Sequence, residues 1–192
     1  MKIFDPTLAI VSHKGPTIML ASGKRFDLLD PASSEFDIED IAHGLAHVCR
    51  YAGQCRRFYS VAEHSLLVSD TVEEFALEAL MHDAAEAFIG DITRPLKQLL
   101  PDYKAIELAI EQTINERFGL WPEAKSVIKE ADLRVLAAEQ RQIMAEGCAE
   151  WADEAGIVPA EIIVQGLMPT EAKELFLRRF RHLTGAPNRQ RA

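Results

Sequence analysis

From Asp37 onward one pattern governs the chain: apolar residues return every three or four positions, segment after segment, with Gly or Pro at the stops. That period places apolar side chains on one face of a helix, and it is incompatible with the alternation of a half-buried strand. The chain is therefore predicted to be all-α, helix packed on helix. The exception is "TIMLASGKRFDLLDP", which alternates weakly around "SGK" and is expected to form a small β-hairpin over about 16–30.

The helical segments carry their own start and stop signals. "DIEDIAHGLAHVCRYAG" has Ile38, Ile41, Leu45 and Val48 on one face and is expected to run to Gly53. "SVAEHSLLV" opens with Ser60 and Glu63 at capping-box spacing, which puts His64 near the first turn of a helix. "TVEEFALEALMHDAAEAFIG" opens with Thr71 and Glu74 at the same spacing and ends at Gly90. "DITRPLKQLLPD", with Pro95 and Pro101, is expected to be a loop holding a short helical piece. "YKAIELAIEQTINERFG" is an amphipathic helix, and "WPEAKSVIKEADLRVLAAEQRQIMAEG" is a long one from Pro122 to Gly147. A last helix falls over about 170–185, followed by a frayed basic tail, "APNRQRA". One domain is expected over 1–192, with a helical core over about 38–146, since 192 residues suffice for one sizeable core.

The net charge narrows the partners. With 21 Lys and Arg against 30 Asp and Glu, the formal charge is −9. Such a surface disfavours long nucleic acid and anionic membranes, while a local basic pocket still suits a small anionic ligand. No run approaches the roughly 18 apolar residues of a membrane span. The opening "MKIFDPTLAI" is interrupted by charge and Pro before a leader's apolar core forms. Cys49, Cys55 and Cys148 are odd in number, so the expectation is a reduced, cytoplasmic protein with free thiols.

Against this background "ALMHDAAEAFIGD", residues 79–91, stands out. Core helices rarely carry charge unless it is paired or bound to a metal. His82 and Glu86 lie four apart on one face, Asp83 and Glu86 three apart, and Asp91 follows the turn at Gly90. An imidazole nitrogen with a carboxylate oxygen suits a borderline divalent metal: Zn, Mn, Co, Fe or Ni. A catalytic metal needs about three or four protein ligands with one position open. His64 is the best further candidate, because helices joined by a tight turn pack antiparallel and bring it opposite His82. Asp132, in "IKEADLRVLAA", interrupts an apolar stripe much as His82 and Asp83 do. Taken singly, each of these residues also fits an ordinary surface or core role; their order and spacing together argue for a site.

The set "AEHS" … "MHDAAEAFIGD" … "EADL" resembles the HD-domain metal-dependent phosphohydrolases. It is most similar to the compact branch holding bacterial 5′-deoxynucleotidases and phage-type deoxynucleotide phosphohydrolases. The resemblance covers about residues 38–146. It implies an HD-domain helical bundle and a metal held by His64, His82, Asp83 and Asp132. It also implies that Glu86 and Asp91 act on the attacking water and the leaving group. "GDITRPLK" resembles the family's GD-x-x-x-P-x-K loop, which makes Lys97 a candidate phosphate contact. The interval from His64 to His82 is shorter than in the deoxynucleotidases and closer to phage-type members.

The expected substrate is a nucleotide or another small phosphorylated molecule. The expected reaction is 5′-deoxynucleotidase hydrolysis of a deoxynucleoside monophosphate. A triphosphohydrolase releasing triphosphate is the alternative, and a non-catalytic metal- or nucleotide-binding regulatory module is the rival from another class. Arg56 and Arg57, just before the His64 helix, are expected to supply cations together with Lys97, with Arg94 a weaker candidate. The pair His43 and His47, with Cys49 and Cys55 nearby, fits no standard zinc spacing; His47 is suited to face the substrate pocket or to pack in the core. Trp121 and Trp151 are expected to pack or to start helices. Leu175, Phe176 and Phe180 on the last helix are suited to cap the core or to join a homodimer, and family analogy favours the dimer.

Overall fold

The structure, a computed structural model, describes residues 15–185; the expectations for the opening segment and for the basic tail lie outside that range. Two short strands, β1 (Thr17–Met19) and β2 (Arg25–Asp27), pair antiparallel with Ile18 opposite Phe26. Helices follow: α1 (Ile38–His47), α2 (Val61–Thr71), α3 (Ala76–Met81), α4 (Glu86–Ile89), α5 (Arg94–Gln98), α6 (Pro101–Phe118), α7 (Lys125–Ile143), α8 (Glu150–Glu154) and α9 (Pro169–Thr184). The all-α expectation holds, and the hairpin is where its alternation placed it.

The hairpin is fastened to the helices rather than free-standing. Phe26 is fully buried and stacks on Phe88 of α4 with ring centroids 3.9 Å apart, while Phe36 meets both rings edge-on. Lys24 Nζ lies 2.8 Å from Asp37, which caps α1 through the amides of Glu39 and Asp40. The main core gathers Ile41 and Leu45 of α1, Leu80 of α3, Ile110 and Ile114 of α6, and Phe176 of α9, all fully or almost fully buried. The apolar face of α9 therefore caps the core of its own chain: Phe176, Leu177 and Phe180 are buried, and the helix packs on α1, α2 and α3.

Several boundaries differ from the sequence expectation. Helix α1 stops at His47, short of Gly53, because the chain turns through Tyr51 and Ala52 at φ 55° and 50°. Backbone bonds from Arg50 to Tyr59 and from Val61 to Val48 then close the connector into α2. Thr71 is the last residue of α2 rather than the cap of a new helix; its Oγ1 donates to Leu67 O instead. The new helix starts at Ala76 after Phe75, which sits at φ 61°. It does not run unbroken to residue 89. Ala84, Glu86, Ala87 and Phe88 donate to the carbonyl three residues back, so the segment tightens where the ionisable groups lie. The long final core helix opens with a single 3₁₀ turn, Pro122–Ala124, and ends at Ile143, short of Gly147.

Candidate metal centre

Helix α2 enters through Ser60, whose hydroxyl accepts from the amide of Glu63. The other half of the predicted capping box is absent. Glu63 instead accepts from the backbone amides of Gln165, Gly166 and Leu167, at 2.6, 3.0 and 2.7 Å. This clamp fixes the first turn of α2 and with it His64, which is fully buried one residue on.

His64 Nε2 lies 3.3 Å from His82 Nε2, 3.5 Å from Asp83 Oδ2 and 3.4 Å from Asp132 Oδ1. His82 Nε2 and Asp83 Oδ2 are 3.1 Å apart. The four residues, drawn from α2, the tightened turn and α7, thus converge. Among the described residues, ligand atoms of His64, His82 and Asp83 all lie within 4.8 Å of one another, and this group could hold a metal ion. The tautomers agree with that role. His82 Nδ1 donates to the carbonyl of Ala79 at 2.8 Å, which leaves its Nε2 lone pair directed to the cluster. His64 Nδ1 faces the carboxylate of Glu139 at 2.6 Å. Two imidazole nitrogens and two carboxylates form a donor set that fits a borderline divalent cation.

The charges respond to the crowding. Burial and Arg50 push the His64 imidazole down, but Glu139 and Asp132 outweigh them and lift it to about 9 in the ion-free protein. Burial raises Asp83, yet His82, His64 and Arg50 hold it well below the usual carboxylate range. Asp132 is likewise depressed against its burial by His64, His82 and Lys129, whose Nζ lies 2.7 Å away. Glu86 moves the other way. Burial, then Asp83 and Asp91, push its carboxyl far up, and its buried Oε2 has no hydrogen-bond partner. Asp91 is also raised by burial and by Asp83.

A cleft of about 570 Å³ opens over the cluster, with Asp83, Glu86, Asp91, Arg94, Lys97 and Asp132 on its charged side. Arg56 and Arg57 do not reach it, contrary to the sequence expectation. The connector turns before them, so Arg56 lines a separate recess with Arg141 and Glu150 while the Arg57 side chain packs over Gly166. Arg50 takes their place. It is buried, with Nη1 3.4 Å from Asp83 and Nε 3.6 Å from Glu139, and it lines the cleft. Lys97 lines the cleft as expected, but its Nζ also pairs with Glu107 at 2.6 Å.

Glu139 and Arg50 were not among the sequence candidates. Glu139 stands seven residues after Asp132, two helical turns along the same face of α7, and that spacing was a usable signal. Arg50 had none, since its burial depends on the left-handed turn at Tyr51 and Ala52. His43 and His47 stack at 4.2 Å on the outer side of α1, and no third ligand joins them among the described residues. The three cysteines are free. Among the described residues no helix is long and apolar enough to cross a membrane.

Two bacterial proteins are similar over most of their length. The uncharacterized protein YfdR of Escherichia coli is 44% identical over 165 residues, covering 85% of this chain and 93% of the relative. The uncharacterized protein RCAP_rcc00048 of Rhodobacter capsulatus is 38% identical over 181 residues, covering 83% of this chain and 91% of the relative. No protein-family model matches the chain.

Proposed function

The chain belongs to one family with the Escherichia coli and Rhodobacter capsulatus proteins, and from that premise we propose that it is a metal-dependent phosphohydrolase of the HD-domain type acting on a nucleoside monophosphate. The observation that carries this reading is the convergence of His64, His82, Asp83 and Asp132 beside a buried Glu86 oxygen that has no hydrogen-bond partner. A purely structural cluster leaves that carboxyl unexplained, because a buried acceptor without a partner costs about 1–3 kcal/mol.

His64, His82, Asp83 and Asp132 would hold a divalent Zn, Mn, Co, Fe or Ni ion. When bound, such an ion supplies positive charge that acidifies a water and offsets charge developing on a phosphoryl group. The remaining chemistry belongs to side chains. Burial and its acidic neighbours favour the protonated form of Glu86; in the ionised form, which a bound cation would favour, it accepts a proton from the attacking water at Oε2. Asp91, also raised, delivers a proton to the departing oxygen. Arg94 and Lys97 bind the phosphate from the rim of the cleft, Arg by a planar fork and Lys as a point charge.

The cation count favours one phosphate over three. Arg50 is already placed against Asp83 and Glu139, and Lys97 against Glu107, so Arg94 is the cleft cation with no ion pair among the described residues.

The decisive experiment is turnover of metal-depleted protein on a panel of nucleoside mono- and triphosphates. Mn, Co, Zn, Ni and Mg are restored one at a time, and phosphate and triphosphate are measured separately. Phosphate released from a monophosphate is the expected result. Triphosphate released from a triphosphate would replace the reading with a triphosphohydrolase. Full metal occupancy with no turnover would replace it with a binding module.

A further inference from the structure

The cleft has a second, chemically different end that the phosphate chemistry does not use. Helix α7 presents Asp132 to the metal cluster and then lines the same cleft with Leu133, Leu136 and Gln140. From Asp132 to Gln140 the helix advances about 12 Å at its standard rise. At that far end stands Trp151 of α8, half-buried, with its indole Nε1–H donating to Gln140 Oε1 at 2.7 Å. The bond pins the ring and fixes the Gln140 amide orientation. The two amide hydrogens of Gln140 Nε2 have no partner on the cleft residues; the group that donates to Ile162 belongs to Gln142 instead. Helix α8 is held in turn by an Arg141–Asp153 ion pair.

Two leucines and an indole have no task toward a phosphate. A planar heterocycle does need them: apolar walls to exclude water, an aromatic face to stack on, and an amide to donate to its edge. Asp132 and Asp83 line the same cleft as Gln140 and Trp151, so a ligand that reaches the cluster with its phosphate extends along the cleft toward them. We infer that Trp151 and Gln140 form a base-recognition subsite, with Trp151 stacking on the base and Gln140 donating to acceptors on its edge. The inference rests on the reading of this cleft as a nucleotide phosphohydrolase site and names what selects the substrate there.

The test separates the two readings. Trp121 and Trp151 are the two tryptophans, so in a W121F protein Trp151 is the remaining indole reporter. Nucleosides, which carry no phosphate, should quench its fluorescence saturably, and deoxyribose 5-phosphate should not. In turnover, W151A should cut the preference in kcat/KM for a nucleotide over deoxyribose 5-phosphate by about tenfold, the scale of one lost base–aromatic stack. W151F, which retains an aromatic face, should recover most of that preference, so a collapsed cleft is distinguished from a lost stack. Q140L should level the ranking among bases. Quenching by nucleosides without hydrolysis of any phosphoester would uphold the subsite and overturn the hydrolase. Nucleotide hydrolysis with an unchanged preference in W151A and no quenching would overturn the subsite alone.

Discussion

His64 Nδ1 lies 2.6 Å from Glu139 Oε1, and neither side chain is reached by solvent. The carboxylate also accepts the hydroxyls of Tyr59 and Tyr51, at 2.5 and 2.7 Å. Glu139 thus holds the imidazole by its rear nitrogen and leaves Nε2 facing Asp83 and Asp132. It is a positioning residue: it would act on a bound metal only through His64. E139Q is expected to weaken metal affinity by about 10–100-fold. The metal concentration for half-maximal activity should rise accordingly, with kcat at saturating metal changing far less. A lost kcat with unaltered metal affinity would contradict the assignment.

Glu139 also sets an acid limit. Burial raises its carboxyl, but His64 and Arg50 outweigh that and hold it at about 2, below its ordinary 4.5. A depressed carboxyl stabilises the fold above its unfolded value, and that contribution disappears as pH falls from 4.5 toward 2. Thermal melts of ion-free protein should show this loss, and E139Q should flatten it.

The His64 imidazole has the opposite sign. Raised to about 9, it is protonated at neutral pH in the ion-free protein, and it stabilises the fold below 6.5, with the contribution lost as pH rises through 9. A metal requires neutral Nε2. Metal loading should therefore release a proton, and affinity should climb about tenfold per pH unit up to about 9. Titration calorimetry in buffers of different ionisation enthalpy measures the released proton directly; equal apparent enthalpies in all buffers would contradict it.

Glu86 and the metal ligands should part company on substitution. H82A and D83A are expected to lose metal and activity together, read by metal analysis of the purified proteins. E86A is expected to retain the metal and lose turnover by about 10²–10⁴-fold. An E86A protein of undiminished activity would remove Glu86 from the chemistry.

Gly44 predicts a steric route to the same site. A Cβ there would lie 2.6 Å from the carbonyl oxygen of Ala87 and 2.8 Å from its Cα, both backbone atoms of α4. Helix α4 begins with Glu86, so G44A must push the acid's own helix aside. A loss of about 1–3 kcal/mol in denaturant unfolding is expected from overpacking, together with reduced turnover.

The cluster was legible because its residue types contradict their surroundings: His82, Asp83, Glu86 and Asp132 each interrupt an apolar stripe, and helical spacing needs no tertiary knowledge. The cations were not legible in the same way. Arg56 and Arg57 have the better local context, yet the left-handed turn at Tyr51 and Ala52 takes Arg50 inward instead. Such a turn uses residues with no preference for positive φ, so nothing local announces it. Thr71 misled for a related reason. Its hydroxyl can bond backwards to Leu67 as readily as forwards, and only the course of the chain at Phe75 decides between them. Helix α8 is not legible in the sequence because its five residues leave too short a period to recognise, although Trp151 suits packing or the start of a helix.

The Glu63 clamp has a consequence in time. The carboxylate beside His64 finds its backbone partners 102 to 104 positions further along the chain. During synthesis, α2 emerges long before those amides exist, and Asp132 and Glu139 also follow it. The pocket for an ion is thus a late product of translation. A nascent chain that exposes His64, His82 and Asp83 still lacks its deepest fastening until residues 165–167 have themselves left the ribosome.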